Sequence, residues 1–244
     1  MGKYNLPEKY RRIDGSTLKI LALITMLIDH FAASVVYNAF LLPNAPIERG
    51  TSIYTLYIIY RVMRAIGCTA FPIYVFLLVE GFVYTKSRPR YLIRLLAFAL
   101  ISEIPFNLAL KLSLRHPGHQ NVFFELSLCL LLLMLWEHFK DKPILQLASF
   151  GACVLLAHYA NFDYGWYGII LVMVFYAMRD FRIPQAVFGL LVLSEELPGV
   201  LLGFLPLPFY SGKRGRQHKM FFYAAYPVHL FLFYLLAAWL LNHS

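Results

Sequence analysis

The fold is decided by the stretch Leu18-Lys19-Ile20-Leu21-Ala22-Leu23-Ile24-Thr25-Met26-Leu27-Ile28-Asp29-His30. This apolar run is typical of a membrane-spanning helix, but it has a lysine near one end and an Asp-His pair at the other. Ionisable side chains at bilayer depth are costly, so they indicate a functional site. Eleven residues separate Lys19 from His30, which in a helix places them within about 20° of the same face and about 16 Å apart along the axis. We therefore expect this helix to connect two polar sites at different depths.

The composition is that of a membrane protein. Of the 244 residues, 60% are hydrophobic and only 14% are charged, whereas a soluble domain is nearer half apolar and one quarter charged. The formal net charge of +9 could suggest nucleic acid as a partner. However, the basic residues cluster between apolar segments, where the positive-inside rule and contact with anionic lipids explain them. We therefore predict a polytopic protein in contact with membrane lipids and no nucleic-acid partner.

The apolar segments predict an all-α, single-domain fold over residues 1–244, with about eight transmembrane helices. The first run lacks a convincing signal-peptide cleavage site, so we expect it to be retained. A shorter aromatic segment, Ile53–Arg64, is typical of an interfacial helix, and the seventh apolar segment is interrupted at Glu195-Glu196-Leu197-Pro198. The predicted helices are Thr17–Tyr37, Ala65–Tyr84, Tyr91–Leu110, Val122–Phe139, Ile144–Ala160, Trp166–Met178, Pro184–Leu205 and Phe222–Leu241.

The distribution of lysine and arginine predicts the orientation. More of these residues flank the predicted helices on the side of the N-terminus than on the opposite side, which favours a cytoplasmic N-terminus in the cytoplasmic (inner) membrane. Eight helices would then return the C-terminus to the cytoplasm as well. The basic loop Ser211–Lys219 falls on the outer side in this arrangement, against the general bias.

Three ionisable side chains are predicted at one depth, about 10 Å below the outer surface. These are His30, Glu103 and His229, each about seven residues from the outer end of its helix. An imidazole titrates near neutrality, and a neighbouring carboxylate can orient it and stabilise its charged form, so Asp29 next to His30 completes a candidate proton-transfer site. The alternative is that each histidine is a structural hydrogen-bonding residue.

A second polar set is predicted at the cytoplasmic ends of the helices. Lys19, Arg90 and Arg94 suit an anionic ligand there, such as the phosphates of a nucleotide-like cofactor, and Glu80 lies in the same layer. In the alternative interpretation, Arg88 and Arg90 are ordinary positive-inside residues, Arg94 snorkels to the interface and Glu80 is its ion-pair partner.

We predict no metal site. The loop histidines His116, His119 and His218 have no paired spacing on a regular element, and the three cysteines form no C-x-x-C pair. Neither zinc binding nor a disulfide framework is therefore expected.

A series of motifs resembles the TraX family of conjugal-transfer pilin acetylation proteins. The first helix, with Lys19 and the run Met26-Leu27-Ile28-Asp29-His30, is similar to the opening helix of that family. Together with the motifs that follow it in the same order, it covers nearly the whole chain, which makes the resemblance much more specific than any single motif. These motifs are Ile66-Gly67-Cys68-Thr69-Ala70-Phe71-Pro72-Ile73-Tyr74, Glu103-Ile104-Pro105-Phe106, Asn121-Val122-Phe123-Phe124, Tyr164-Gly165-x-x-Gly168 and Phe222-Tyr223-x-x-Tyr226-Pro227-x-His229-Leu230.

A weaker resemblance links the chain to the acyltransferase-3 group of membrane acyltransferases. The first helix of that group carries Arg-x10-His, which is similar to Lys19 and His30 with lysine in place of arginine. Its basic R-x-x-R stretch resembles Arg88, Arg90 and Arg94, although the spacing differs. The resemblance implies that these four cations hold the phosphates of the donor.

What the two resemblances imply is an integral membrane acetyltransferase that takes acetyl groups from cytoplasmic acetyl-CoA. The acceptor in the TraX family is the N-terminus of a pilin, and acceptors in the wider group are often sugars or envelope polymers. We therefore expect transfer to an amine or hydroxyl of an envelope protein or glycan. His30, oriented by Asp29, would act as general base, and His229 or Glu103 would complete the proton path.

Two other classes of protein remain open. A proton-coupled transporter would use the intramembrane histidines and glutamate as a relay, and it predicts inverted repeats with broken helices in matching halves. A non-catalytic assembly factor for an envelope machine would not need the histidines. Acetyl transfer by the purified protein separates the enzyme from both.

Overall fold

Helices are the regular secondary structure of the described part of the protein. The structure, a computed structural model, describes residues 5–216 and 218–243, and for Lys219 it describes the backbone. Within these residues there is no β-strand, and two isolated β-bridges join Ile13 to Tyr210 and Gln120 to Phe162. The prediction of an all-α fold is confirmed.

The α-helices follow the apolar segments of the sequence. The first one continues beyond Phe31 as a π-helical segment, Ala32–Leu41, so that its wider turns begin directly after the Asp-His pair. The α-helices are α1 (Gly15–Phe31), α2 (Ser52–Gly67), α3 (Ala70–Tyr84), α4 (Arg88–Lys111), α5 (Val122–His138), α6 (Pro143–Tyr159), α7 (Gly165–Ala177), α8 (Arg182–Val192), α9 (Leu201–Phe204) and α10 (Lys219–His243).

Four helical segments are long and apolar enough to cross a membrane. Within the described residues these are Gly15–Asn44, Ser52–Tyr84, Arg88–Lys111 and Met220–His243. The predicted interfacial helix Ile53–Arg64 is part of the second of them. The other helices have 17 residues or fewer, and at about 1.5 Å per residue they fall short of a hydrocarbon core of about 30 Å. The prediction of about eight spans is therefore not confirmed.

The first and last helices, α1 and α10, run parallel. Gly15 donates its backbone N–H to the carbonyl oxygen of Lys213 at 2.8 Å, and further along the same two segments His30 contacts His229. Phe31 and Phe233 extend the contact, with ring centroids 5.5 Å apart. Both helices therefore begin at the same end of the bundle and finish at the other.

This arrangement corrects the predicted topology. The basic loop 211–216 packs on the start of α1, so its placement on the side opposite to the N-terminus is wrong, and so is the placement of both chain ends on one side. Lys213, Arg214 and Arg216 join the other N-terminal basic residues, which removes the exception to the charge bias. We call this end of the bundle the basic end, defined by Lys19, Arg88, Arg94, Arg182 and Arg214.

The physical reason for the error lies in the seventh predicted helix. Only its first part forms a helix, α8, and residues 193–210 then return to the basic end in short segments that include α9. This return packs tightly on α2 and α3. A Cβ on Gly199 would lie 2.6 Å from the carbonyl oxygen of Ala65, and Tyr210 packs edge-on against Phe76. Irregular backbone is tolerated at such depth because it is covered by protein.

The central helix of the bundle is α3. Its buried residues lie on every face and include Phe76, Val79 and Phe82, as expected of a helix that is apolar all round. It contacts α1, α5 and α7. Because α3 is enclosed in this way, Glu80 near its end is only 7% exposed.

Candidate functional site

The two histidines of the parallel helices are in direct contact. His30 Nδ1 lies 2.6 Å from His229 Nε2, and the ring planes differ by only 9° with their centroids 4.9 Å apart. Tyr226 packs edge-on against both rings, with centroid distances of 5.5 and 5.7 Å. The structure therefore brings together two residues that are 199 positions apart in the chain.

The hydrogen bonds decide how this pair holds its protons. His229 Nδ1 lies 2.5 Å from the carbonyl oxygen of Ala225, and because a carbonyl only accepts, this nitrogen carries a proton. In the neutral pair, His229 Nε2 is then the acceptor and His30 Nδ1 is the donor. The remaining nitrogen, His30 Nε2, keeps its lone pair and can take a proton from another group.

Asp29 is bound by Arg64 and not by the adjacent imidazole. Arg64 Nη1 donates to Asp29 Oδ2 at 2.5 Å, whereas His30 Nε2 is 4.0 Å from the same oxygen. That distance is too long for a hydrogen bond, so the predicted orientation of His30 by Asp29 is not observed, and His229 is the residue that orients the ring. The carboxylate is still close enough to stabilise a positive charge on His30.

The backbone of Gly67 provides the space for Asp29. A Cβ added at Gly67 would lie 2.1 Å from Asp29 Oδ1, which is far inside van der Waals contact. The end of α2 therefore approaches α1 so closely that the carboxylate packs directly on the main chain. Glycine is the residue that permits such an approach, which gives a physical role to this position of the Ile66–Tyr74 motif.

We expect Gly67→Ala to destabilise the protein by about 1–3 kcal/mol, because the added methyl overpacks the contact between α1 and α2. The measurement is thermal unfolding of the purified protein in detergent. The matched control is Gly151→Ala on α6, where a Cβ meets nothing within 4 Å and alanine should be neutral or stabilising by up to about 1 kcal/mol. Equal unfolding temperatures for the two variants would contradict the close packing of Asp29 on Gly67.

A second glycine provides space for a second carboxyl group. The N–H of Tyr164 donates to Glu125 Oε2 at 2.7 Å, and a Cβ on Gly168 would lie 2.0 Å from Glu125 Oε1. The ring of Tyr164 stacks on Phe71 with their centroids 3.5 Å apart. The Tyr164-Gly165-x-x-Gly168 motif thus builds a fully buried carboxyl site against α3.

Glu103 belongs to a different cluster from the one predicted. Its carboxylate accepts hydrogen bonds from Asn107 Nδ2 at 3.1 Å and from Asn121 Nδ2 at 2.7 Å. These amides, rather than an imidazole, hold Glu103 in place. They tie α4 to the start of α5, where the Asn121 side chain also accepts the N–H of Phe123 at 3.2 Å.

A cavity of about 170 Å³ leads from the basic end towards the histidine pair. Lys19, Arg94 and Arg214 line it at the basic end, and Tyr226, which packs on both histidines, lines it at the other. Its wall between these ends is mostly apolar and aromatic, with Met26, Tyr74, Leu78, Leu95, Phe123 and Leu126 among the lining residues. The cavity therefore extends from a cationic mouth, through an apolar interior, to the tyrosine that packs on both imidazoles.

The structure divides the predicted cation set. Lys19 and Arg94 line the cavity, together with Arg214, for which no role was predicted. Arg88 pairs with Glu137 instead, and its guanidinium lies 4.0 Å from the ring centroid of Phe82. Arg90 is exposed on α4. A donor-binding role for Arg88 and Arg90 stays a prediction without support from their placement.

Glu80 also lines the cavity, but Arg94 is not its ion-pair partner. Arg182 Nη2 donates to Glu80 Oε1 at 2.8 Å. The same Arg182 lies 5.0 Å from the ring centroid of Phe76, and its backbone N–H donates to Asn5 Oδ1 at 2.7 Å. Glu80 is thus anchored to the start of α8.

A second cavity, of about 420 Å³, is lined by the loop before α5, the connection between α6 and α7, and the end of α8. Three carboxylates line it, those of Asp163, Glu195 and Glu196, and its lining within the described residues includes neither lysine nor arginine. Asp163 is held by His119 at 2.8 Å. Glu196 Oε2 lies 3.9 Å from Cys68 Sγ, and Cys68 follows the glycine on which Asp29 packs, so this cavity adjoins the segment that contacts Asp29.

Sequence reasoning missed two cations that complete these sites. Arg64 was assigned to an interfacial helix, although an arginine next to an apolar motif is a sign of a buried ion pair. Arg214 was assigned to the wrong side of the membrane. The sequence did contain a sign of this error, because the loop 211–216 was the exception to the bias of lysine and arginine towards the N-terminal side.

The fold and the site define the class of protein: an all-helical membrane protein with a histidine pair, a basic cavity and an acidic cavity. Residues 14–237 match the TraX protein family, and the chain belongs to that family. It is also similar to the probable fimbrial assembly protein FimC, serogroup H1, of Dichelobacter nodosus, with 31% identity over 255 aligned positions that cover 91% of this chain and 96% of that protein. No solved structure matches the chain.

Proposed function

We propose that this protein is an integral membrane acetyltransferase that moves an acetyl group from acetyl-CoA to an amine or hydroxyl of an envelope protein or glycan. The observation that carries the proposal is the cavity that extends from Lys19, Arg94 and Arg214 to Tyr226, the tyrosine that packs on the histidine pair. Membership of the TraX family supports it.

The distance between Lys19 and His30 suits an acyl donor with an anionic end. Lys19 and His30 are about 16 Å apart along the helix axis. The arm of CoA between phosphate and sulfur contains about twelve bonds, the equivalent of about four residues of extended chain, and spans about 14 Å. With its phosphates at the basic end, such an arm would bring the thioester close to Tyr226 and His30.

The chemistry then follows from the proton arrangement of the histidines. His30 Nε2 takes the proton of the acceptor N–H or O–H as the acceptor attacks the thioester carbonyl carbon. A bond from the acceptor to the acetyl carbon forms and the carbon–sulfur bond breaks. The proton passes to the departing sulfur, so that CoA leaves as the thiol. His229 keeps His30 in the required tautomer, and the Asp29 carboxylate stabilises the transient imidazolium.

The acidic cavity is the route for the acceptor in this proposal. Its three carboxylates would attract a cationic group such as a peptide amine. The fimbrial name of the relative from Dichelobacter nodosus supports a pilus protein as acceptor. The concentration of basic residues at the donor end favours a cytoplasmic location for that end, in the cytoplasmic (inner) membrane.

The test uses the purified protein in liposomes with radiolabelled acetyl-CoA. The acceptors are a peptide with a free N-terminal amine, the same peptide with the amine blocked, and an amino-free sugar. Label in the free peptide supports N-acetylation, and label in the sugar supports O-acetylation. If no acceptor is labelled, and mass spectrometry finds the same acetylation of envelope proteins and glycans in cells with and without the protein, the proposal is refuted.

A second candidate function is non-catalytic pilus assembly, which the name of the same relative favours. The two candidates differ in their need for the histidines. A variant with both His30 and His229 replaced by alanine would still support pilus assembly if the role is non-catalytic. Loss of acetylation together with retained pili would separate the two activities in cells.

A further inference from the structure

The carboxylate of Glu80 has one oxygen without a hydrogen-bond partner. Oε1 accepts from Arg182, whereas Oε2 is buried and accepts no hydrogen bond from the described residues. The residue is only 7% exposed and lines the basic cavity. A buried acceptor without a partner is costly, and more so when it is charged, so it needs an explanation.

The place of Glu80 along the cavity limits what could satisfy this oxygen. Glu80 lies four residues before the end of α3, and Lys19 lies four residues after the start of α1, so both are about 6 Å from the basic end of their helices. Arg94, whose Nε also lacks a partner among the described residues, lines the same part of the cavity. Glu80 therefore lies beside the cations and not beside the histidines.

A ligand that fits this end must carry two kinds of group close together. The cations require an anion, and the carboxylate oxygen requires an N–H or O–H donor. A carboxylate next to an anion-binding site repels a simple anion, so it favours a ligand that offers a donor at that point. The 4′-phosphopantetheine arm has this pattern, because its pantoyl hydroxyl and the adjacent amide N–H follow directly after the phosphate.

We infer that Glu80 is a specificity-determining residue that accepts a hydrogen bond from the pantoyl hydroxyl or the adjacent amide of a phosphopantetheine thioester. This inference rests on the proposed function, because it assumes that the basic cavity holds the acyl donor. The inference restricts the acyl donor to carriers with a phosphopantetheine arm. Acyl phosphates and simple thioesters, which lack this arm, would not be donors. Arg182 binds the other oxygen of this carboxylate and so anchors the start of α8 to α3.

The test compares two probes and two variants by equilibrium binding to the purified protein. One probe is 4′-phosphopantetheine, and the other is the same molecule with the pantoyl hydroxyl and the adjacent amide both methylated. Wild type should bind the first probe about tenfold to a hundredfold more tightly, the usual effect of a hydrogen bond to a charged group. Glu80→Gln presents an amide donor in place of the acceptor, so it should weaken binding of the first probe and lose most of this discrimination.

Arg182→Gln is the control for a purely structural role. It should lower the unfolding temperature while the preference of the protein for the unmethylated probe persists. Wild type that binds both probes equally overturns the inference, whether or not the variants fold. The inference is also overturned if Glu80→Gln weakens the binding of both probes by the same factor.

An acetyl-transfer assay distinguishes a failure of this inference from a failure of the proposed function. Transfer from acetyl-CoA without discrimination between the probes refutes the role of Glu80 alone. Discrimination without transfer to any acceptor refutes the acetyltransferase and leaves a phosphopantetheine-binding site. Acetyl-CoA and an acetylated carrier protein, compared as donors, distinguish the two natural sources of the arm.

Discussion

His30→Ala should lower the rate of acetyl transfer by a factor of about 10²–10⁴, the usual contribution of a positioned general base. The reason is the arrangement of protons in the histidine pair: His229 is tied to the carbonyl of Ala225, so only His30 Nε2 has a free lone pair. The side chain is largely enclosed, with 12% of it exposed. We expect the variant to insert and fold, because Tyr226 and the α1–α10 contact remain.

The measurement is the turnover of labelled acetyl-CoA in liposomes at saturating donor. The matched control is His138→Ala, an exposed histidine at the end of α5, which should leave turnover unchanged. His229→Ala should also lose activity, and the double variant should be little worse than either single one, because residues that act as a unit are not additive. Turnover near wild type in His30→Ala would exclude this residue as the base.

Arg94→Gln should raise the KM for acetyl-CoA about tenfold to a hundredfold, because it removes a charge-assisted contact to the donor phosphates. The effect on kcat should be small, since this contact is equal in the ground state and the transition state. Arg90→Gln is a close control, four residues earlier on the same helix but exposed and outside the cavity lining. It should leave KM within about twofold, as expected of a well-solvated surface charge.

Both variants are assayed as KM and kcat at two salt concentrations. The KM of wild type should rise with salt, because salt screens the attraction between the cations and the phosphates, and Arg94→Gln should weaken that dependence. An equal change in KM for Arg90→Gln and Arg94→Gln would mean that the general charge of the basic end, and not the cavity, binds the donor. It would also restore the role predicted for Arg90 from the sequence.

Local distances along a helix could be predicted because they depend on a fixed rise and period. The sequence therefore placed Lys19 and His30 on one face of one helix, and in the structure Lys19 lines the basic end of the cavity that reaches the ring packed on His30. The motif glycines were visible as well. The sequence could not show what these glycines do, because Gly67 approaches Asp29, and Gly168 approaches Glu125, at contacts between different helices.

The depth of His229 was predicted from an incorrect topology, yet in the structure His229 lies at the same level as His30 and contacts it. The prediction measured depth from the outer side, whereas α10 begins at the basic end. Gly15 lies beside Arg214 and His30 beside His229, the same offset in the chain. The two segments therefore run parallel in register, and the histidines meet at one level whichever end is used for the count.

The sequence alone determined the all-helical membrane class, the family and the two polar layers, because composition and helical periodicity are properties of the chain itself. Only the tertiary structure decided which polar residues meet. In the structure, Glu103 accepts hydrogen bonds from two asparagines, Asp29 pairs with Arg64, and Arg214 lines the basic cavity. The physical reason is that residues 193–210 return along α3, and this return sets the direction of α10. A break in an apolar segment of the sequence shows that a helix ends there, but it does not show in which direction the chain continues.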